Sequence, residues 1–376
     1  MARAREVRIV TYNQYLGADI VPLVTASAAR FNATLLDVLA QVARNRFPAR
    51  AERQAELIAK ENPDLVGLQE VWDFSCQELP PTPGACAEPR IRGAFVDQLQ
   101  VTLDALRSRR APYVVAARVK NFDTAEISVP VPGVGTVNGL PFTINGRNAL
   151  LLVKDRDVIL RRWNVPARPV AFAGCTVSQQ GCSYVARLAV PLPALPGVTA
   201  VFRRGFVAVD AMVRGQARRF VVTHLEVQEP IPGKPLSMVF QAAQAVELIA
   251  RLAAAPNPKN SELVLAGDLN SAPTDRSPGG GIVPPYRLFL AAGYRDTWTA
   301  YKGTTPDPTC CQDADLRNGR SKLTDRIDHV FVGSPPVLVL NATRIGENVA
   351  DRTPAGPTRP ALWPSDHAGV STRLYF

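Results

Sequence analysis

Asn13, Glu70, His224, Asp268, Asn270 and Asp328 share a setting: each stands near the end of a short apolar run that reads as a strand, and Ser365-Asp366-His367 directly precedes another such run. A carboxylate or imidazole at such a place is costly to bury unless it is paired or bound to a cation. One polar strand end is ordinary; several converging on one edge would build a polar site on a rigid floor. In AGDLN (266–270) Asp268 and Asn270 are two apart, so a strand continuing through them presents both on one face, a hard anionic oxygen beside an amide that donates and accepts. Gly267 allows close backbone approach. The competing reading of these residues is a strand ending in an Asx-type turn, since SAPTD follows. Glu70, after DLVGLQ, could complete an all-oxygen site with Asp268 and Asn13, which suits Mg²⁺, Mn²⁺ or Ca²⁺ better than zinc.

The chain has three histidines, His224, His329 and His367. With an unperturbed pKa of about 6.5, imidazole gives and takes protons near neutrality, and two of them could serve both sides of a displacement. Each ring needs a carboxylate to orient it, and Asp328 is a candidate. His329 adjoins Asp328 but must face the other way if RIDHVFV is a strand, so it reads as structural.

The elements that must position these groups are short strands at 7–13, 64–71, 148–154, 219–227, 262–270, 326–332 and 369–376. Helical patterns lie between them at 49–62, stopped by Pro63, at 94–110, and at 237–255, where Ser237 reads as an N-cap. Strands and helices alternate along the whole length without a linker, which predicts a single α/β domain over 1–376, with layered sheets and helices outside. The Pro- and Gly-rich segments 120–146, 164–200 and 272–286 read as surface loops around a site.

Composition bounds the rest. Among 376 residues 46% are hydrophobic and 20% charged, enough apolar side chain for a sizeable core, which excludes fibrous, collagen-like and disordered classes. No apolar run approaches the roughly 20 residues of a spanning helix. A net charge of +10 favours anionic partners. The six cysteines fall as neighbours: Cys76 with Cys86, Cys175 with Cys182, and Cys310 beside Cys311. The first two pairs would staple loops, as in an oxidising compartment; a bond between Cys310 and Cys311 would distort the peptide between them, so that pairing is left open. The segment MARAREVRIV has no apolar signal core. With the cysteines, this points to a secreted or periplasmic protein whose leader is missing from this sequence, a cytosolic one being the alternative.

The ordered set TYN, LQE, THL, GDLN, RID, SDH, spread from residue 11 to residue 367, resembles the endonuclease/exonuclease/phosphatase superfamily, and the segment 309–328 is similar to that of its secreted bacterial members. The resemblance implies a four-layer α/β/β/α sandwich of two mixed sheets with outer helices and a divalent-metal site at one edge. Carried over by position, it makes Glu70 the main metal carboxylate, assisted by Asn13, with Asp366 beside the metal. Asp268 would hold or activate the attacking water, and Asn270 would bond the scissile phosphate oxygen. His367 would be the catalytic imidazole oriented by Asp328, and His224 would contact the phosphate or protonate the leaving oxygen. Arg147 or Asn148 would face the phosphate. Gln14 stands where relatives carry an acidic or aromatic residue, so it offers the metal no help, and the stretch 14–48 is an insertion.

A phosphodiester repels nucleophiles by its own charge, so its hydrolysis needs a cation on the non-bridging oxygens and a positioned water in line with the leaving group. The expected enzyme is a Mg²⁺-dependent phosphodiesterase, with Mn²⁺ or Ca²⁺ as alternatives, acting by one inverting attack of water. The charge puts a sequence-tolerant nuclease first. A sphingomyelinase- or phospholipase C-like enzyme comes second, and a small-molecule phosphatase third. The apolar loops 130–140 and 190–198 read as proline-stiffened hairpins, with contact to a lipid surface or an apolar leaving group as the other reading. A non-catalytic binding module would be expected to lack Glu70, Asp268 or His367, and all three are present. The partner is an anionic phosphodiester, either nucleic acid or a phospholipid head group; the chain reads as a monomer without a stable protein partner.

Overall fold

A computed structural model describes residues 5–131, 133–175, 181–228, 236–257, 261–333 and 337–376. Parts of three sequence readings lie outside them: the first four residues of the N-terminal segment, Pro132 in the apolar loop at 130–140, and 176–180 between Cys175 and Cys182. The strands are β1 (Glu6–Asn13), β2 (Leu65–Gln69), β3 (Asp73–Glu78), β4 (Tyr113–Asp123), β5 (Ser128–Val131), β6 (Gly135–Asn138), β7 (Leu140–Ile144) and β8 (Arg147–Arg162). There follow β9 (Ala167–Pro169), β10 (Gly181–Ser183), β11 (Leu188–Pro191), β12 (Thr199–Phe202), β13 (Gly205–Val213), β14 (Gln216–His224) and β15 (Glu262–Asp268). The last four are β16 (Arg295–Asp296), β17 (Asp328–Val332), β18 (Leu338–Ile345) and β19 (Gly369–Tyr375). The helices are α1 (Val21–Val24), α2 (Ala28–Arg44), α3 (Phe47–Glu61), α4 (Gln98–Ser108), α5 (Leu236–Ala254), α6 (Pro285–Ala291) and α7 (Thr297–Lys302).

Two mixed sheets form the centre. The first runs β18-β19-β1-β2-β8-β3, with β4 and β7 also on β8; the second runs β10-β13-β14-β15-β17-β16, with β9 on β13. Among the described residues only β1–β2 and β14–β15 pair in parallel. Alternate residues of each sheet meet between them: Ile9, Leu65 and Ile159 pack against Val207, Phe220, Val264 and Val330. The approach is close at Gly67, where a Cβ would lie 2.5 Å from a methyl of Val222. Outside the first sheet, α3 and α4 cover Val10, Val66 and Val158 with Ala51, Ile58 and Leu106. Outside the second, α5 and α6 cover Val221, Leu265 and Phe331 with Ala245, Leu248 and Phe289. These are the four layers expected from the sequence.

Local chemistry sets the ends of these elements. Helix α3 closes on Asn62 in the left-handed conformation just before Pro63. The carboxylates of Asp97 and Asp296 cap α4 and α7 by accepting the Leu99 and Trp298 amides, each at 3.0 Å. Ser237 is not a cap: α5 already begins at Leu236, and the Ser237 hydroxyl donates to the Gln228 carbonyl. Segment 148–154 is only the start of a 16-residue strand, β8. The segments 120–146 and 164–200 are not simple loops. They hold the end of β4, strands β5, β6, β7 and β9–β11, and the start of β12: Leu140 and Phe142 are buried by pairing with β8, and Val129 within the separate β5–β6 hairpin. Disulfides join Cys76–Cys86, Cys175–Cys182 and Cys310–Cys311.

Candidate active site

Strand register puts three of the chemical residues in one row. His224 is paired with Asp268 across β14–β15, and Asp268 with Asp328 across β15–β17. A Cβ on Gly267 would sit 1.9 Å from the Thr223 carbonyl oxygen, so only glycine lets β15 lie this close to β14 just before Asp268. The facing sheet contributes Asn13 at the end of β1, Glu70 after β2, and Asp366 and His367 before β19. Glu70 has φ 54°, a left-handed turn that lifts its carboxylate off the strand line, and Asn270 has φ 47° for the same purpose after β15. The Ser365 hydroxyl donates to the Asn13 carbonyl at 2.7 Å, joining the two loops of this sheet.

Asn13 bridges the sheets. Its Nδ2 donates to Glu70 Oε1 at 3.2 Å and to Asp268 Oδ2 at 3.1 Å, while its Oδ1 accepts the Tyr15 amide at 3.0 Å. Glu70 Oε2 accepts the Leu16 amide at 2.9 Å. Asp268 Oδ1 accepts the Asn270 amide at 2.8 Å, and its Oδ2 lies 3.5 Å from His224 Nε2 and 3.8 Å from His367 Nε2. His367 Nδ1 is 2.8 Å from Asp328 Oδ2, fixing the ring with Nε2 toward Asp268. Asn270 Nδ2 lies 3.1 Å from His224 Nε2 and donates to the Leu225 carbonyl.

The two imidazoles are opposites electrically. Burial lowers the affinity of His367 for a proton, but the carboxylates of Asp328, Asp366 and Asp268 outweigh it and hold the ring well above its usual range. Burial and then the neighbouring Arg204 push His224 well below that range. Burial, with Asp328 adding to it, raises Asp268 to about 7. Burial, with Glu70 adding to it, raises Asp366 to about 7. Glu70 and Asp366 offer hard oxygen, with the Asn13 Nδ2 holding Glu70 in place, and half-buried carboxylates that repel each other as these do are what a divalent cation relieves. The residues present therefore fit such a cation.

His329 is structural, as read: it is buried, 3.1 Å from Arg326 and 2.9 Å from the Ser271 carbonyl. Gln14 is buried and bonded to Gln54 and Thr102. Arg147 and Asn148 lie away from this cluster. They sit at the β7–β8 turn, Arg147 paired with Glu88 at 3.2 Å and Asn148 accepting from Thr143 at 2.7 Å. The strand reaches the site eight residues later through Asp155, roughly 26 Å along β8. Sequence reasoning missed Asp155, Arg204 and Arg50. Arg204 lies 2.9 Å from His224 Nδ1, 3.6 Å from Glu226 and 4.0 Å from Asp155. Arg50, buried on α3, donates to the carbonyls of Asn45, Gln14, Tyr15 and Pro364 and so ties down both loops of the first sheet. Its sole signal is an Arg in register with the apolar stripe of α3.

The cluster opens into a cavity of about 480 Å³ bounded by Glu70, Asp155, Glu226 and Asp366 on one side and by Ile20, Trp72, Phe122 and Phe202 on the other. The family model for the endonuclease/exonuclease/phosphatase family matches residues 11–367. Among solved structures, a mannosyl-6-phosphatase of Bacteroides thetaiotaomicron VPI-5482 is 18% identical with a TM-score of 0.51, over 98% of this chain and 100% of that one. An endonuclease/exonuclease/phosphatase family protein of Bacteroides thetaiotaomicron is 16% identical with a TM-score of 0.51, over 99% and 98%. One from Beutenbergia cavernae DSM 12333 is 21% identical with a TM-score of 0.49, over 99% and 72%. No curated protein matches the chain in sequence. The match from the first strand to His367 spans every residue of the cluster, and the chain belongs to the endonuclease/exonuclease/phosphatase family, whose members hydrolyse phosphoester bonds and generally use divalent metal ions.

Proposed function

We propose that the chain hydrolyses phosphodiester bonds by direct attack of water, with a hard divalent cation, Mg²⁺ first and Mn²⁺ or Ca²⁺ as alternatives, held by Glu70 and Asp366 with Asn13 in support. The observation that carries this reading is Asp268 Oδ2 standing 3.5 Å and 3.8 Å from the two imidazoles. The cation supplies charge to offset that of the phosphate oxygens. The protein supplies the rest. Asp268, held by the Asn270 amide and Asn13, accepts the proton of the attacking water. His367, kept protonated against Asp328, offers Nε2–H to the charge growing on the phosphoryl group. An in-line displacement puts entering and leaving oxygens on opposite sides of phosphorus, so as the new P–O bond forms the old one breaks, and the leaving oxygen departs as an anion that takes its proton from solvent. Asp268 and His367, 3.8 Å apart, therefore act together on one side. His224 accepts from Arg204 at Nδ1, stays neutral, and serves as a hydrogen-bond donor through Nε2 rather than as a store of protons.

The cavity favours a compact substrate. Its lining cations are Arg203 and Arg204, and both already face carboxylates, Glu126 for the first and Glu226 for the second. A nuclease is the second reading, favoured by the net charge of +10. The test is a panel of plasmid DNA, RNA, sphingomyelin, bis-p-nitrophenyl phosphate and p-nitrophenyl phosphate, with Mg²⁺, Mn²⁺ or chelator. Hydrolysis of the diester well above the monoester, abolished by EDTA, is expected. Preference for the monoester, or a rate indifferent to EDTA, overturns the proposal.

A further inference from the structure

Two segments outside the catalytic cluster, the insertion at 14–48, which touches it through the Tyr15 and Leu16 amides, and the β11–β12 hairpin, gather on one flank of it with the chain that leads into β7. There a second cavity of about 80 Å³ opens beside the first. The two share Leu16, Ile20, Val24, Trp72, Phe122 and Phe202, so they are continuous. The further wall comes from Leu35, Val38 and Leu39 of α2, from Leu140 of β7, and from Leu192 and Ala200 of the β11–β12 hairpin. Its one polar residue, Thr124, is already engaged, accepting the Val153 amide at 2.8 Å. The stacked rings of Phe122 and Phe202, with centroids 4.9 Å apart, stand at the junction.

We propose that this chamber holds the aliphatic chain of an amphiphilic phosphodiester whose phosphate is presented to Glu70, Asp268 and His367. The proposal rests on the phosphodiesterase reading and names its substrate class. A nucleobase or sugar would bring polar edges into a chamber with no free group to meet them, at the cost of their hydration. The chamber has roughly half the volume of a dry cavity that takes up benzene, about 150 Å³, so it admits the last few methylenes of a chain whose remainder lies in the continuous larger cavity. A methylene chain loses only apolar hydration on burial. The arrangement also accounts for the apolar character of 14–48 and of the 188–202 hairpin, which the catalytic cluster does not require. The phosphate end finds carboxylates and imidazoles, and the chain end finds leucine and valine.

The experiment uses p-nitrophenyl esters of methyl, butyl and octyl phosphate, each below its aggregation concentration, with Mg²⁺ or Mn²⁺, in the wild type and in Ala200→Phe and Val38→Phe, both of which fill the chamber. In the wild type kcat/KM rises from methyl to octyl by at least about thirtyfold, as burial of a few methylenes implies. In the filled variants the octyl-to-methyl ratio falls toward about one. Thermal unfolding identifies a variant that fails to fold, and the other then decides. Independently, calorimetry compares octylphosphonate with methylphosphonate, and only the former is expected to lose affinity on filling. A flat wild-type series with the methyl ester turned over overturns the chamber and leaves the phosphodiesterase standing. No turnover of any diester removes the phosphodiesterase reading, and the calorimetry then decides the chamber by itself: octylphosphonate binding that filling abolishes supports it, and equal affinity for the two phosphonates overturns it.

Discussion

Arg204 Nη1 stands 2.9 Å from Nδ1 of His224, and because a guanidinium has no lone pair to offer, the imidazole nitrogen must be the acceptor. The ring is thereby fixed as the tautomer protonated at Nε2, whose acceptor is the Asp268 carboxylate at 3.5 Å, while the Asn270 Nδ2 beside it donates to the Leu225 carbonyl. In Arg204→Gln this constraint is lost, and kcat should drop by about tenfold or more with little change in KM. The check that separates positioning from simple packing is ¹⁵N NMR of labelled histidine, which is tractable with three histidines in the chain. The wild type should show a bare Nδ1 at His224, and the variant a mixture of tautomers. A single unchanged tautomer would remove Arg204 from this role.

His367 is the group that carries positive charge into the site, so its loss should be severe. His367→Ala is expected to lower turnover by about a hundredfold or more, and Asp328→Asn, which keeps the shape but removes the charge holding Nδ1 at 2.8 Å, by a similar order. Steady-state rates with circular dichroism as a fold control measure both. Near-normal turnover in His367→Ala would leave Asp268 without its partner and the mechanism without a charge donor.

Glu70 is the expected anchor of the cation. Glu70→Gln halves the anionic donors from this sheet while keeping the acceptor for the Leu16 amide. Its rate should fall and then recover in part as Mg²⁺ or Mn²⁺ is raised, a shift in the metal-dependence curve rather than in its ceiling alone. Equal metal dependence in wild type and variant would place the cation elsewhere.

The polar cluster was legible in the sequence because it is written at strand ends. Asn13, His224 and Asp268 close apolar runs and Asp328 opens one, the register of each is fixed by burial on both faces, and a side chain at such an end has few places to go. What escaped was set by tertiary pairing. Arg50 is a charge on a helix until the loops at 13–15 and 363–366 close over it and offer three carbonyls, with Asn45 after α2 offering a fourth. Asp155 lies in the middle of β8, one residue past the apolar run 148–154, and the strand is extended by pairing with β4 rather than by its own pattern. Arg147 and Asn148 lie away from the site for the same reason, since β8 meets it at its middle, through Asp155, and not at its start. The chamber walls were visible as apolar segments, but nothing local says that α2 and two hairpins meet.

His329 supplies a stability test independent of catalysis. It is fully enclosed and neutral, its Nδ1 facing Arg326 and its Nε2 the Ser271 carbonyl, and burial, then Arg326, pushes its pKa down to about 4. Unfolded, the ring returns to about 6.5. Between these values the unfolded chain binds the extra proton, so stability falls as pH drops through that window and this loss levels off below about pH 4. The gap amounts to about 3 kcal/mol at most. His329→Gln can still accept from Arg326 and donate to Ser271 but does not titrate. Urea unfolding from pH 7 to pH 4 should therefore show a shallower decline for the variant than for the wild type, and the difference between the two curves should fall within this window. Parallel curves would mean that the native protein takes up the proton at His329 as readily as the unfolded chain does.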